Sequence, residues 1–279
     1  MERKISDIGL KTGFLSAKGI FDLLIAGAVY SLFAGWLYAP YFDSFSRLQF
    51  IVPVQGAAGA MGMYLLIYHN NKDLWPSLLC GALFGFGSFA LVLGTFHPSV
   101  GVLFAALPWS CLPGRIYKAG KSRWSKALSL LLLILPVVSV IAFFKLAAIC
   151  RLFSLPIQER LGIGNIASFF LPLHIKWLSH FPVSIYHIGA VCFIWGFLHI
   201  SPKERIKLAV LLVICAGLGV FRPILQVSPV IWMSFALIGI CMTAARGLGE
   251  FHGGVKIAFL AGLTADIFIC ASVMCDRLW

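Results

Sequence analysis

Asp266 lies eleven residues into an apolar run that begins at Val255, about 16 Å along a helix at 1.5 Å per residue. A carboxylate at that depth in hydrocarbon costs on the order of 3 kcal/mol, so it marks a site with a job to do. Two jobs fit the residue type. It can carry a proton or coupling cation or receive a cationic group, or it can be a protonated structural carboxyl bonded to a neighbouring helix. Gln55 is the natural companion, at a comparable depth in its own run and two residues after Pro53, whose missing N–H frees a carbonyl one turn back. A glutamine there either shares a binding site with Asp266 or hydrogen-bonds two helices together.

Arg246, Glu250 and His252, in the stretch Arg246-Gly-Leu-Gly-Glu-Phe-His-Gly-Gly, form the densest cluster of catalytic residue types. Glycines on either side permit a turn that aims these side chains at a headgroup or phosphate. The alternative is an ordinary polar loop. Lys145 and Arg222, near the ends of two other runs, offer a weaker anion site or simple interfacial anchors, and Asp22, like Lys145 within about a turn of its helix end, is expected to snorkel. Cys215, Arg222 and His252 are the parts of a thiol transpeptidase, but Cys215 is mid-run and His252 is in a loop, so the three are not expected to converge.

No metal or cofactor is expected. Four of the seven histidines fall between His174 and His199, yet no HxxxH or HExxH pair is present, and Pro182 separates His174 from His187. The eight cysteines stand singly, with no CxxC pair, and read as small packing residues.

The elements that must position these residues follow from composition. With 60% hydrophobic and 11% charged residues and a mean hydropathy of +0.95, the chain falls far from soluble domains, whose charged share is about a quarter. The apolar residues come in runs of about twenty, the length of a transmembrane helix and not of a barrel strand. A single all-α domain over residues 1–279 is expected, a polytopic bundle of about nine spans within a range of eight to ten. The spans are 20–41, 48–68, 75–95, 98–114, 127–149, 184–201, 206–224, 229–245 and 255–275. The fourth carries Pro98, Pro108 and Pro113 and is the weakest, with a re-entrant path as its alternative. The stretch through Lys18 is basic and the run after it has no small-residue cleavage site, which predicts a retained first helix.

Charge sets the expected threading. The chain has 22 Lys and Arg against 10 Asp and Glu, and the basic residues gather in short connections. That is the positive-inside pattern and not a nucleic-acid surface. Residues 163–181 place Ile166, Phe169, Phe170, Leu173, Trp177 and Phe181 on one helical face, an amphipathic helix lying in the interface. If it does not cross, the loops holding Arg115 to Lys126, Lys203 to Lys207 and Arg246 to Lys256 all share the side of the N-terminus. This predicts a cytoplasmic N-terminus and an extracytoplasmic 152–183 segment. In the second and third runs, Gly56, Gly59, Gly62, Gly81 and Gly85 predict a tight helix pair.

Three functions remain open. The first is a permease for a small solute, with ion or proton coupling at Asp266 and Gln55. The second is a noncatalytic subunit or assembly factor of a membrane complex. The third is a membrane-embedded enzyme acting on a lipid or lipid-linked substrate through Arg246, Glu250 and His252. The implied partners are membrane lipids, a small solute and another membrane protein or a second copy of the chain, in a bacterial inner membrane.

Overall fold

The computed structural model describes residues 17–44, 50–96, 98–119, 123–149, 201–220, 232–251 and 253–278. Every regular element among them is helical: α1 (Ala17–Tyr38) and a 3₁₀ turn (Ala39–Ser44), α2 (Ile51–Asn71), α3 (Leu74–Phe86), α4 (Ser88–Phe96), α5 (Pro98–Ala119), α6 (Arg123–Leu132), α7 (Ile134–Ile149), α8 (Pro202–Val220), α9 (Met233–Glu250) and α10 (Gly253–Leu278). Helices are what an apolar solvent demands, because only they satisfy every backbone N–H and C=O within one segment.

Among the described residues, five stretches are long and apolar enough to cross a membrane: Lys18–Asp43, Ile51–Asn71, Leu74–Leu91, Val100–Lys118 and Gly253–Val273. The described residues thus carry five of the about nine expected spans; the others differ for local reasons or lie wholly or partly outside the described residues. The run 127–149 is divided between α6 and α7 at Leu133, which bonds only three residues back to Leu130. Pro136 causes the break, since its ring displaces the carbonyl four residues earlier. The helix α8 spends its first turns on Lys203, Glu204, Arg205 and Lys207, and α9 is apolar but short. The run 98–114, by contrast, is one continuous helix despite Pro108 and Pro113. The expected interfacial helix at 163–181 and the span at 184–201 lie outside the described residues.

The helix α2 is the hub and packs against α1, α3, α4, α5 and α9. Its glycines allow this. A Cβ on Gly56 would meet the Phe86 ring and the Gly85 carbonyl, and one on Gly85 would meet the Gly56 carbonyl and Ala60, so α2 and α3 touch backbone to backbone. Gly59 and Gly62 face α5 at Ala105 and Trp109, and the Trp109 indole N–H donates to the Ala58 carbonyl at 2.9 Å. Close approach of this kind lets dispersion hold helices together where lipid supplies no hydrophobic drive. The outer faces are apolar: Leu24, Leu32 and Trp36 on α1, Leu131, Val137 and Ile141 on α6 and α7, Val213 on α8 and Ile257 and Ile269 on α10 are all exposed. A bilayer solvates such a surface and water does not.

Five helix termini meet at one end of the bundle. The turn between α2 and α3 bonds to the start of α10 through Lys256 and Asp73. The start of α8 bonds to the end of α9 through Glu204 and Arg246. Basic groups that are distant in the sequence therefore share this end, as the charge pattern of the loops anticipates.

Candidate functional site

A cavity of about 720 Å³ opens between α1, α3 and α10. Helical periodicity builds its walls. Val29, Tyr30 and Phe33 come from α1, Trp75, Leu78, Leu79 and Ala82 from α3, and Ile257, Leu260, Ala261, Thr264, Ile267 and Phe268 from α10, each set spaced by three or four residues so that it forms one face. The two hydroxyls on these walls are turned inward to backbone. Tyr30 Oη donates to the Leu78 carbonyl at 2.8 Å and Thr264 Oγ1 to the Leu260 carbonyl at 2.7 Å. The interior is therefore apolar in practice.

The two ends of the cavity differ. At one, Phe33 packs edge-on against Phe268 (centroids 4.9 Å apart) and against Phe86 (5.0 Å), while Trp36 lies 5.3 Å from Phe268. At the other, Gly253 and Lys256 begin α10. The Lys256 ammonium is 2.5 Å from Asp73 Oδ2, and both side chains stay about a quarter exposed. An ion pair this open to its surroundings is worth at most about 1 kcal/mol, so an incoming anion can compete for the lysine. Asp73 is fixed through its backbone, whose carbonyl accepts from Ser77 Oγ at 2.6 Å. Gly253 has φ +67, the left-handed conformation that a residue with a Cβ adopts only with strain. It lets α10 start abruptly after α9.

The residues singled out from the sequence fall elsewhere. Asp266 is half-buried on α10 and accepts from Cys270 Sγ at 3.3 Å, one turn along the same helix. It is not on the cavity wall, which takes Thr264, Ile267 and Phe268 instead. Gln55 is buried on α2, 7% exposed, with its side-chain oxygen occupying the room left by Gly94 of α4 and Gly101 of α5. The gap beside it is about 10 Å³, the space of a single water, and is walled by α1 to α5 with nothing from α10. The structure therefore gives Asp266 and Gln55 no common cavity among the described residues. Lys145 is exposed on α7. Arg246 pairs with Glu204 at 2.5 Å beside a second, smaller cleft of about 300 Å³ that also holds Lys207 and Thr243. Arg222, His252 and the Glu250 side chain lie outside the described residues, so the arrangement of the 246–252 cluster is defined only at Arg246. Cys215 is buried within α8.

Two polar contacts have no counterpart in the sequence reading. One is Lys256 with Asp73. The other is Asp22, which hydropathy places within reach of the interface as a snorkelling side chain and which is in fact 5% exposed, accepting from Tyr68 Oη at 2.5 Å. Opposite charges flanking apolar runs were the available signal for the first. A tyrosine near the end of α2 was the available signal for the second. Lys72, which caps α2 with φ 55 and donates its backbone N–H to the Tyr68 carbonyl, also holds its ammonium 5.6 Å from the centre of the Tyr68 ring. Desolvation there draws the Lys72 ammonium below its ordinary value.

No protein family matches this chain, and no curated protein or solved structure does. The class is therefore defined by architecture: among the described residues, helices throughout, five stretches fit to cross a membrane and an apolar cavity between three of the helices. Within that class, Asp266→Asn is expected to leave thermal stability within about 0.5 kcal/mol of the parent, because the amide keeps an oxygen acceptor for Cys270 and this site is away from the tightly packed core. A melting curve in detergent checks it. Loss of ligand binding in the same variant would return Asp266 to the centre of the site.

Proposed function

We propose that this is an integral membrane protein that binds an anionic amphiphile, a lipid or lipid-linked molecule, and exchanges it with the surrounding bilayer. The cavity carries this reading. Its volume, about 720 Å³, falls in the range of about 300–1,000 Å³ typical of small-molecule sites, and its walls are suited to a hydrocarbon tail. Lys256 at one end supplies the cation for a headgroup, on the same end of the bundle as Lys72, Arg115 and Arg246. The described residues give this substrate class more support than a small polar solute, because the cavity wall offers such a solute almost nothing to bond. They also favour binding and movement over conversion, since both wall hydroxyls are committed to backbone carbonyls.

The test is lipid content. Protein purified from membranes in mild detergent and measured by native mass spectrometry is expected to retain an anionic amphiphile. Lys256→Gln should weaken binding of a fluorescent phosphatidic acid about tenfold, the equivalent of about 1.4 kcal/mol, and leave a zwitterionic analogue bound as before. Equal binding of both headgroups by the parent protein would overturn the assignment.

A further inference from the structure

Asp22 is the most deeply buried carboxylate among the described residues, and neither the cavity nor the lipid reading uses it. It sits on the inward face of α1 with Ala26, Tyr30 and Ala34, one turn beyond the exposed Lys18. Tyr68 Oη donates to its Oδ2. Tyr64, one turn earlier on α2, stacks on Tyr68 with ring centres 5.3 Å apart, so it stands beside the residue that bonds Asp22. The Tyr64 side chain is fully buried, and its hydroxyl has no hydrogen-bond partner among the described residues. A buried hydroxyl left without a partner is costly and calls for an explanation. A carboxyl inside a membrane bundle is a functional site by default.

The hydrogen-bonding inventory supplies one explanation for both. An ionised carboxylate only accepts, and Tyr68 serves it. A protonated carboxyl carries an O–H that needs an acceptor, and the idle Tyr64 oxygen is one. We propose that Asp22, Tyr68 and Tyr64 form a proton-binding site inside the bundle, with Tyr68 serving the ionised state and Tyr64 the protonated state. The step is a simple proton transfer: the O–H bond of the Asp22 carboxyl breaks, the electron pair stays on the carboxylate, and the proton passes to solvent water at the end of α1 where Lys18, one turn away, is exposed. Tyr68 holds its hydroxyl on Asp22 while its ring lies beneath the exposed Lys72, which fixes the ring in place. The other titratable groups at this end of α1 and the helices packed on it are Lys18, His69 and Lys72, together with Asp73 and Lys256, which pair with each other.

Infrared difference spectroscopy on the purified full-length protein in lipid nanodiscs tests this. The parent is expected to show a protonated-carboxyl C=O band that appears as pH falls, survives in Asp266→Asn and disappears in Asp22→Asn. The tyrosine variants keep their rings and their stacking, so they read the site without dismantling it. At a fixed pH where both forms coexist, Tyr68→Phe should raise the ratio of protonated to ionised Asp22 about tenfold and Tyr64→Phe should lower it about tenfold, each the order of one hydrogen bond to a charged or acidic group. A purely structural role would not split the two variants in opposite directions. Persistence of the band in Asp22→Asn, or shifts of the same sign in both tyrosine variants, would overturn the proposal.

Discussion

A Gly85→Leu variant is expected to lose the folded bundle and not merely to loosen it. The Cβ of any residue at this position would run into the Gly56 carbonyl and come within 2.7 Å of Ala60 Cβ and 2.8 Å of Ala60 N. These obstacles are mostly backbone, which cannot swing aside as a flexible side chain does. Overpacking a core usually costs about 1–3 kcal/mol because neighbours repack. Here the relief is separation of α2 from α3, the contact on which the packing of α1, α5 and α9 also depends. We expect a loss above about 5 kcal/mol, comparable to the whole stability of many proteins. Fluorescence-detected size exclusion and a thermal melt would report it as aggregation or absence of a transition. Gly35→Leu on α1 is the matched control, because nothing lies within 4 Å of the added carbon. A Gly85→Leu protein that melts like its parent would mean that α2 and α3 do not meet in this way.

The contrast between those two glycines marks how far the sequence could be read. Its spacing of small residues announced a close pair of helices, because Gly56, Gly81 and Gly85 fall in apolar runs where only packing gives them a purpose. The helical class was legible for the same physical reason: a chain with few charges and twenty-residue apolar runs has no other way to satisfy its backbone in lipid. Rotation about a helix axis was not legible. Successive residues on a helix differ by about 100°, so Asp266 and Ile267 have nearly the same depth and face different surroundings. Hydropathy sees depth alone. It therefore singled out Asp266, which is off the cavity wall, and passed over Asp22, whose nearness to a helix end suggested snorkelling. The end of α2 covers that carboxylate, and such cover is a tertiary fact. Lys256 and Asp73, 183 residues apart, could be seen as charges beside apolar runs but not as partners. Pro136 was visible, yet its consequence, two helices in place of one, depended on whether neighbouring groups would bridge the lost hydrogen bond.

Filling the cavity should abolish amphiphile binding while sparing the fold. Ala261 faces the space between α1, α3 and α10 and is exposed within it, so Ala261→Phe adds a ring where the tail of a bound molecule would lie. Burying a methylene is worth about 0.8 kcal/mol. Excluding four of them costs about 3 kcal/mol, a drop in affinity of roughly a hundredfold, well beyond what loss of the Lys256 charge should produce. The added ring meets open space and not packed backbone, so the melting temperature should hold or rise. Ala28→Phe is the control: it lies one residue from the wall residue Val29, is exposed, and does not line the cavity. Titration of a fluorescent long-chain phosphatidic acid against the three proteins separates the cases. If the cavity is the site, Ala261→Phe loses binding and Ala28→Phe keeps it. Undiminished binding by Ala261→Phe would place the ligand elsewhere, and the cleft beside Arg246 would then be the next surface to test, since its Arg246 and Lys207 offer charge to a headgroup without a comparable slot for a tail.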